Sequence, residues 1–181
     1  LFTPKKGSLA SFEGGMESLI KALSNVLKGM PNVSVEFGSS ANSPESVAEQ
    51  YDVPLSAVVW TIPKNLEQPS TSLSIFIIGY RKEDISNIPI GYGTLIPDSK
   101  IPISGILNES DIHHSSRAPK GHRLFRLMVP HSRLKDDHQR VKECAHEILG
   151  SSESVVFHHL GDRKIPSYLP GHMDRISQHD G

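Results

Sequence analysis

The sequence predicts an α+β fold: a mixed β-sheet with two amphipathic helices covering one of its faces. Three observations carry this expectation. Two segments repeat apolar residues at spacings of three and four. Several short β-branched segments lie between them. Prolines punctuate those segments where turns between strands belong.

The first helical segment is Gly15–Met30, where Met16, Leu19, Ile20, Leu23, Val26, Leu27 and Met30 fall on one stripe and Pro31 closes the run. Asn32–Phe37 alternates, with Val33 and Val35 against Ser34 and Glu36, and reads as a short strand. Gly38–Asp52 is rich in Ser, Asn, Glu and Pro and reads as a loop. Leu55–Ile62 is β-branched and apolar enough for a buried strand stopped by Pro63. Ser72–Tyr80 carries the clearest strand signal, and its continuous apolar centre predicts burial on both faces. Shorter strands are expected at Gly91–Ile96, Ile103–Leu107 and His122–Val129, separated by Pro89, Pro97, Pro102, Pro119 and Pro130. Ser132–Leu149 is the second helical segment, with Leu134, Val141, Cys144, Ala145, Ile148 and Leu149 on its apolar side and Gly150 as its stop. Ser154–Leu160 reads as a last strand, and the tail from Gly161 shows no period. There is no internal repeat.

A chain of 181 residues supports one domain with a sizeable core. With 19 basic and 20 acidic residues the formal net charge is −1, which gives no electrostatic footprint for nucleic acid. The single cysteine, Cys144, cannot form an internal disulfide and reads as inert packing. No stretch approaches the roughly 20 apolar residues of a membrane span. The chain begins with Leu1, and the expectation is a piece excised from a longer protein. Its ten histidines invite a metal reading, but His113-His114 and His158-His159 are adjacent pairs whose side chains point to opposite faces of a strand. His138 and His146 stand two helical turns apart, so no metal site is expected and the histidines read as scattered and solvent-facing.

Three stretches carry a family resemblance. Phe12–Leu23, FEGGMESLIKAL, has a Phe-x-Gly-Gly-Met-x-x-Leu helix opening; Gly91–Pro97, GYGTLIP, is followed by Gly105-Ile106 and Ser110; Ile165–Met173 reads IPSYLPGHM. In this order and spacing they resemble the protoporphyrinogen oxidase family, within the flavin amine oxidase superfamily. The similarity runs from about Phe12 to Arg175. Tyr92 stands where the family has Phe, Glu109 where it has Asp, Met173 where it has Trp, and Val129-Pro130 where it has Gly-Gly. The Gly-x-Gly-x-x-Gly turn that cradles a dinucleotide pyrophosphate is absent from the sequence.

The resemblance implies an incomplete part of a FAD/NAD(P)-binding-type flavoprotein. Residues 55–150 would form the substrate-binding part, and residues 1–37 and 161–181 an edge of the flavin domain, all within one partial domain. The activity implied is FAD-dependent oxidation of protoporphyrinogen IX to protoporphyrin IX in haem biosynthesis, with molecular oxygen as acceptor. No catalytic side chain is expected, since the flavin does the redox chemistry and the protein supplies a pocket. Tyr92, Gly93, Leu95 and Met128 would line the substrate: Gly93 as bare backbone under the ring, with Tyr92 and Leu95 sandwiching it. The cofactor-side candidates are Gly14, Gly15, Ala41, Pro166, Tyr168, Gly171, His172 and Met173. The implied partners are a tetrapyrrole and oxygen, with a homodimer as an option. The implied location is the mitochondrial inner membrane, through parts of the parent outside this chain. Two other readings stand beside this one: another flavin amine oxidase-type oxidoreductase, and an inactive remnant or binding module.

Overall fold

A computed structural model describes residues 12–61, 69–113 and 117–177. Lys5-Lys6, Ile62, Pro63 and His114 lie outside them. The chain forms two compact units, Leu1–Glu67 and Gln68–Gly181.

In the first unit, helix α1 (Glu17–Lys28) forms where the periodicity places it. The chain enters it through Gly14 and Gly15, at φ 82° and 86°, a left-handed pair that residues with a Cβ adopt only at a cost. Its apolar stripe is exposed, with Ile20 at 63% and Val26 at 64%. The strand expected at Asn32–Phe37 does not form; those residues are irregular, since alternation without a partner ladder does not make a strand. The expected loop at Gly38–Asp52 instead contains helix α2 (Pro44–Gln50). Its signal was in the sequence. Ser43 Oγ accepts from the Ser46 N–H at 3.1 Å, Ser46 Oγ accepts from the Ser43 N–H at 3.2 Å, and Pro44 occupies the first helical position. The strand expected at Leu55–Ile62 is a 3₁₀ turn, Leu55–Ala57, followed by irregular chain to Thr61 in which Val59 is 87% exposed. A β-branched run needs a sheet beside it.

The second unit is built on strands β1 (Ser70–Arg81), β2 (Gly93–Leu95), β3 (Gly105–Leu107), β4 (His122–Pro130) and β5 (Val156–Pro166). Their order is β2-β3-β4-β1-β5. One-turn helix α3 (Glu109–Ile112) follows β3, α4 (His138–Leu149) joins β4 to β5, and α5 (His172–Ser177) follows β5. The α+β class holds, but every neighbouring pair is antiparallel where a mixed sheet was expected. The reason lies in α4. It links two strands of the same direction, β4 and β5, yet β1 lies between them and is antiparallel to both. A helix between strands therefore creates no parallel neighbours here.

One face of the sheet buries Phe76, Ile78 and Tyr80 of β1, Phe125, Leu127 and Val129 of β4, and Ile106 of β3. In the same cluster α4 contributes Val141, Cys144, Ala145 and Leu149. Burial pushes the Cys144 thiol up, consistent with a packing role. α4 starts later than expected because Asp136 takes φ 61° and Asp137 caps the helix, its side chain accepting from the Arg140 N–H at 2.9 Å. Gly150, at φ 70°, ends it as expected. β5 continues past Gly161 rather than stopping there. Ile75 pairs with Gly161 and Phe76 with His159, so Leu160 is an extra residue and Gly161, at φ 109°, absorbs a bulge. No helix among the described residues is long and apolar enough to cross a membrane.

Burial, with Lys142 nearby, holds the His146 imidazole below its ordinary 6.5. The unfolded chain therefore takes up this proton at a higher pH than the folded one, and stability falls as pH drops through 6.5. Asp162 is depressed, chiefly by the Ser74 hydroxyl, so its contribution is lost only below 3.8. Chemical denaturation between pH 7.5 and 5 should show His146→Gln losing less stability on acidification than the parent; parallel slopes would contradict the assignment.

Candidate functional site

The register sorts the second face of the sheet into two rows of facing residues. Leu95 pairs with Gly105, Gly105 with Met128, and Met128 with Ile75. Beside that row, Gly93 pairs with Leu107, Leu107 with Arg126, and Arg126 with Ile77. Residues directly opposite on neighbouring strands share a face, so these rows form one surface across four strands. It is largely apolar: Ile75, Ile77, Leu107 and Met128 are half-buried and Leu95 is 82% exposed. At four strands with a spacing of about 4.8 Å, the rows span about 14 Å.

Two glycines shape this surface. A Cβ on Gly105 would lie 2.7 Å from Met128 Cε and 3.6 Å from Leu95 Cδ2, so the methionine methyl fills the space that Gly105 vacates and extends toward Leu95. A Cβ on Gly93 would lie 2.2 Å from the Ile106 carbonyl oxygen. Close approach of β2 to β3 alone requires this glycine, whatever else passes over it. Tyr92, 60% exposed, leads into β2, and its carbonyl accepts from the Asn108 N–H at 3.0 Å.

Two arginines hold the β2–β3 hairpin at its ends. Arg123 of β4 is buried; its Nε and Nη2 bond the Asp111 carboxylate at 3.2 and 2.6 Å. Its Nη1 donates to the Ile88 carbonyl at 2.8 Å and Nη2 to the Pro89 carbonyl at 3.2 Å, which fixes the segment leading into Tyr92. Arg133 serves the connection between the strands: Nη1 donates to the carbonyls of Ile96, Asp98 and Ile101 at 2.9, 3.0 and 3.2 Å. A short edge hairpin is thus oriented by cations that satisfy carbonyl oxygens its own ladder leaves over. A cleft of about 330 Å³ lies on the helix-covered side, lined by Ile88, Ile90, Gly93, Ile106, Asn108 and Ile148 among others.

No protein-family model matches the chain. A curated relative, protoporphyrinogen oxidase of Schizosaccharomyces pombe, is 22% identical over 200 residues, covering 96% of this chain and 41% of that protein. A solved structure from Exiguobacterium sp. 255-15, provisionally named as a protoporphyrinogen oxidase, superposes with a TM-score of 0.59 at 16% identity, covering 93% of this chain and 43% of the other. The resemblance is to protoporphyrinogen oxidase. It holds in sequence and in fold, and the chain spans about two fifths of the relative's length.

Of the substrate-side residues suggested by that resemblance, Leu95 and Met128 share one row, Gly93 lies in the adjacent row and Tyr92 lies just before it. Leu107, Ile75 and Ile77 complete the surface and were missed, although the alternation of Ile106 with Leu107 and of Ile75 with Phe76 marks them as residues of the opposite face. The flavin-side candidates divide between the units. Gly14 and Gly15 form the turn into α1, and Ala41 is an exposed residue before α2. Pro166 ends β5 opposite Ser70, and the Tyr168 and His172 rings lie 4.6 Å apart on either side of Gly171, whose φ is 79°. Met173 is 70% exposed.

The histidines are less scattered than expected. His131 Nε2 lies 2.9 Å from Ser74 Oγ, which donates to Asp162 at 2.8 Å, and His159 Nε2 lies 3.1 Å from the same carboxylate oxygen. The rings of His138 and His159 are 4.7 Å apart and both pack on Phe76. This network ties β1 to β5. Asp162 contacts the same imidazole nitrogen of His131 as Ser74 does, so it cannot orient that ring as a base for the hydroxyl.

Removing Arg123 leaves Asp111 buried without its partner. Arg123→Met should cost about 3–5 kcal/mol in denaturant unfolding, and Arg123→Met with Asp111→Leu should recover much of the loss. A single variant as stable as the parent would show that the guanidinium does not hold the hairpin.

Proposed function

We propose that this chain supplies the substrate-binding wall of an enzyme that oxidises protoporphyrinogen IX to protoporphyrin IX, with FAD as oxidant and molecular oxygen as acceptor, in haem biosynthesis. The observation that carries the reading is the apolar second face built by Leu95, Leu107, Met128, Ile75 and Ile77. An apolar macrocycle, puckered at its saturated bridges as the porphyrinogen and planar once oxidised, needs an apolar wall more than it needs acid–base groups. The likeness to protoporphyrinogen oxidases supports the choice of macrocycle. On this reading Leu95 and Met128 contact the ring, Tyr92 borders it, and Gly93 lets β2 lie close against β3.

The described residues offer flavin-side positions but no pyrophosphate cradle. No strand among them leads through a glycine-rich turn into a helix in the dinucleotide-binding manner, and the sequence lacks the Gly-x-Gly-x-x-Gly motif. Binding and orientation of the macrocycle are therefore the tasks assigned to this chain. Gly14, Gly15, Ala41, Pro166, Tyr168, Gly171, His172 and Met173 are proposed to border the flavin of the whole enzyme, placed at the mitochondrial inner membrane.

Two outcomes are expected. The purified 181-residue chain should show no stoichiometric flavin absorbance near the visible bands of FAD; a stable yellow protein would overturn the division of tasks. Titration with protoporphyrin IX should give saturable binding that Leu95→Asp weakens by roughly tenfold or more, the order of about 1.4 kcal/mol for setting a charge against an apolar ligand. Unchanged binding in Leu95→Asp and Tyr92→Ala would remove the wall from this face.

A further inference from the structure

The apolar surface carries one cation. Arg126 sits in the centre of β4, between Leu107 and Ile77 in its row and next to Met128 along the strand face. A charge in such a position is costly unless it is paired or put to use. Its pairing is incomplete. Nη2 meets Glu109 Oε1 at 2.9 Å, but Nε is buried with no hydrogen-bond partner. The Arg126 side chain is 39% exposed while that of Glu109 is 4% exposed. The carboxylate, on the first residue of α3, is thus shut into the protein, and the guanidinium is the exposed partner of the pair.

Glu109 holds the guanidinium in place, with His113 Nε2 3.7 Å from its other oxygen. Arg123, by contrast, grips Asp111 with two nitrogens, Nε and Nη2, and spends Nη1 on the Ile88 carbonyl. In Arg126 a single nitrogen, Nη2, meets the carboxylate, Nε is sealed inside, and the exposed part of the guanidinium is what a ligand can reach.

We propose that Arg126 is a specificity-determining residue that receives a carboxylate substituent of the macrocycle lying on Leu95, Leu107 and Met128. This rests on the reading above that a tetrapyrrole occupies the face. One acidic side chain of the macrocycle thereby reaches the middle of the sheet rather than the solvent beyond its edge. Arg126 orients the ring, and it takes no part in the removal of hydrogen.

The test compares protoporphyrin IX with its dimethyl ester, which has the same ring and no carboxylate. The full chain should bind the acid roughly tenfold tighter than the ester, the order expected for one charge-assisted contact at a partly exposed site. In Arg126→Met that preference should vanish while ester binding stays within about twofold of the parent. Because Arg126→Met strands the buried Glu109, the double variant Arg126→Met/Glu109→Leu removes both charges and keeps the comparison available. Arg126→Lys should retain part of the preference. Equal binding of acid and ester by the parent, or a preference that survives in the double variant, would overturn the proposal. If the parent binds neither compound, the tetrapyrrole reading of the face fails and the role of Arg126 falls with it.

Discussion

The buried contact between Arg123 and Asp111 sets the geometry of the candidate site. β2 has three residues and lies at the sheet edge, with one neighbour to hold it. Its hydrogen bonds alone would give it little definition. Arg123 reaches from the interior of β4 to Asp111 and to the carbonyls of Ile88 and Pro89, anchoring the chain just before Tyr92. Arg133 gathers the carbonyls of the connection after Leu95. Buried ion pairs of this kind are poor sources of net stability, and their better-attested value is in fixing one arrangement among several. Here the arrangement fixed is the one that turns Leu95 toward the row of Gly105 and Met128.

Glycine supplies the second constraint, and each position does so differently. Gly93 permits β2 to approach the Ile106 carbonyl, Gly105 leaves room for the Met128 methyl, and Gly161 absorbs the bulge that lets β5 run on beside β1. Gly93 was expected from resemblance to serve as bare backbone beneath a ring. Its packing against β3 is sufficient reason for a glycine there. The two faces of the sheet then differ in character. One is sealed by α4, and the other presents rows of branched apolar side chains interrupted by the guanidinium of Arg126.

Local pattern and tertiary context agree in the elements with strong periodicity. α1, β1, β4 and the body of α4 have strong periodicity, and each formed within a few residues of its expected place. The failures share a physical cause. Asn32–Phe37 and Leu55–Ile62 have strand-like composition, but a strand is completed by a neighbour that composition does not reveal. α2 was hidden by its polar residues, though Ser43, Pro44 and Ser46 together spell a helix start. The strand expected at Ser154–Leu160 runs on to Pro166 because the bulge at Gly161 breaks the alternation by which a strand is recognised. In the site, Leu95 and Met128 came from resemblance and their shared row only from register. Leu107, Arg126 and the roles of Arg123 and Arg133 depend on which strands lie side by side, which no local pattern encodes.

On the proposed reading, the second face of the β2-β3-β4-β1 surface receives a tetrapyrrole. The most direct measurement is residue-resolved NMR of the full chain titrated with protoporphyrin IX. Ring-current shifts should concentrate on the methyl groups of Leu95, Leu107, Met128, Ile75 and Ile77, leaving Ile90 and Ile148 of the cleft on the helix-covered side unmoved. Shifts confined to Ile90 and Ile148, or to the exposed stripe of α1, would contradict it.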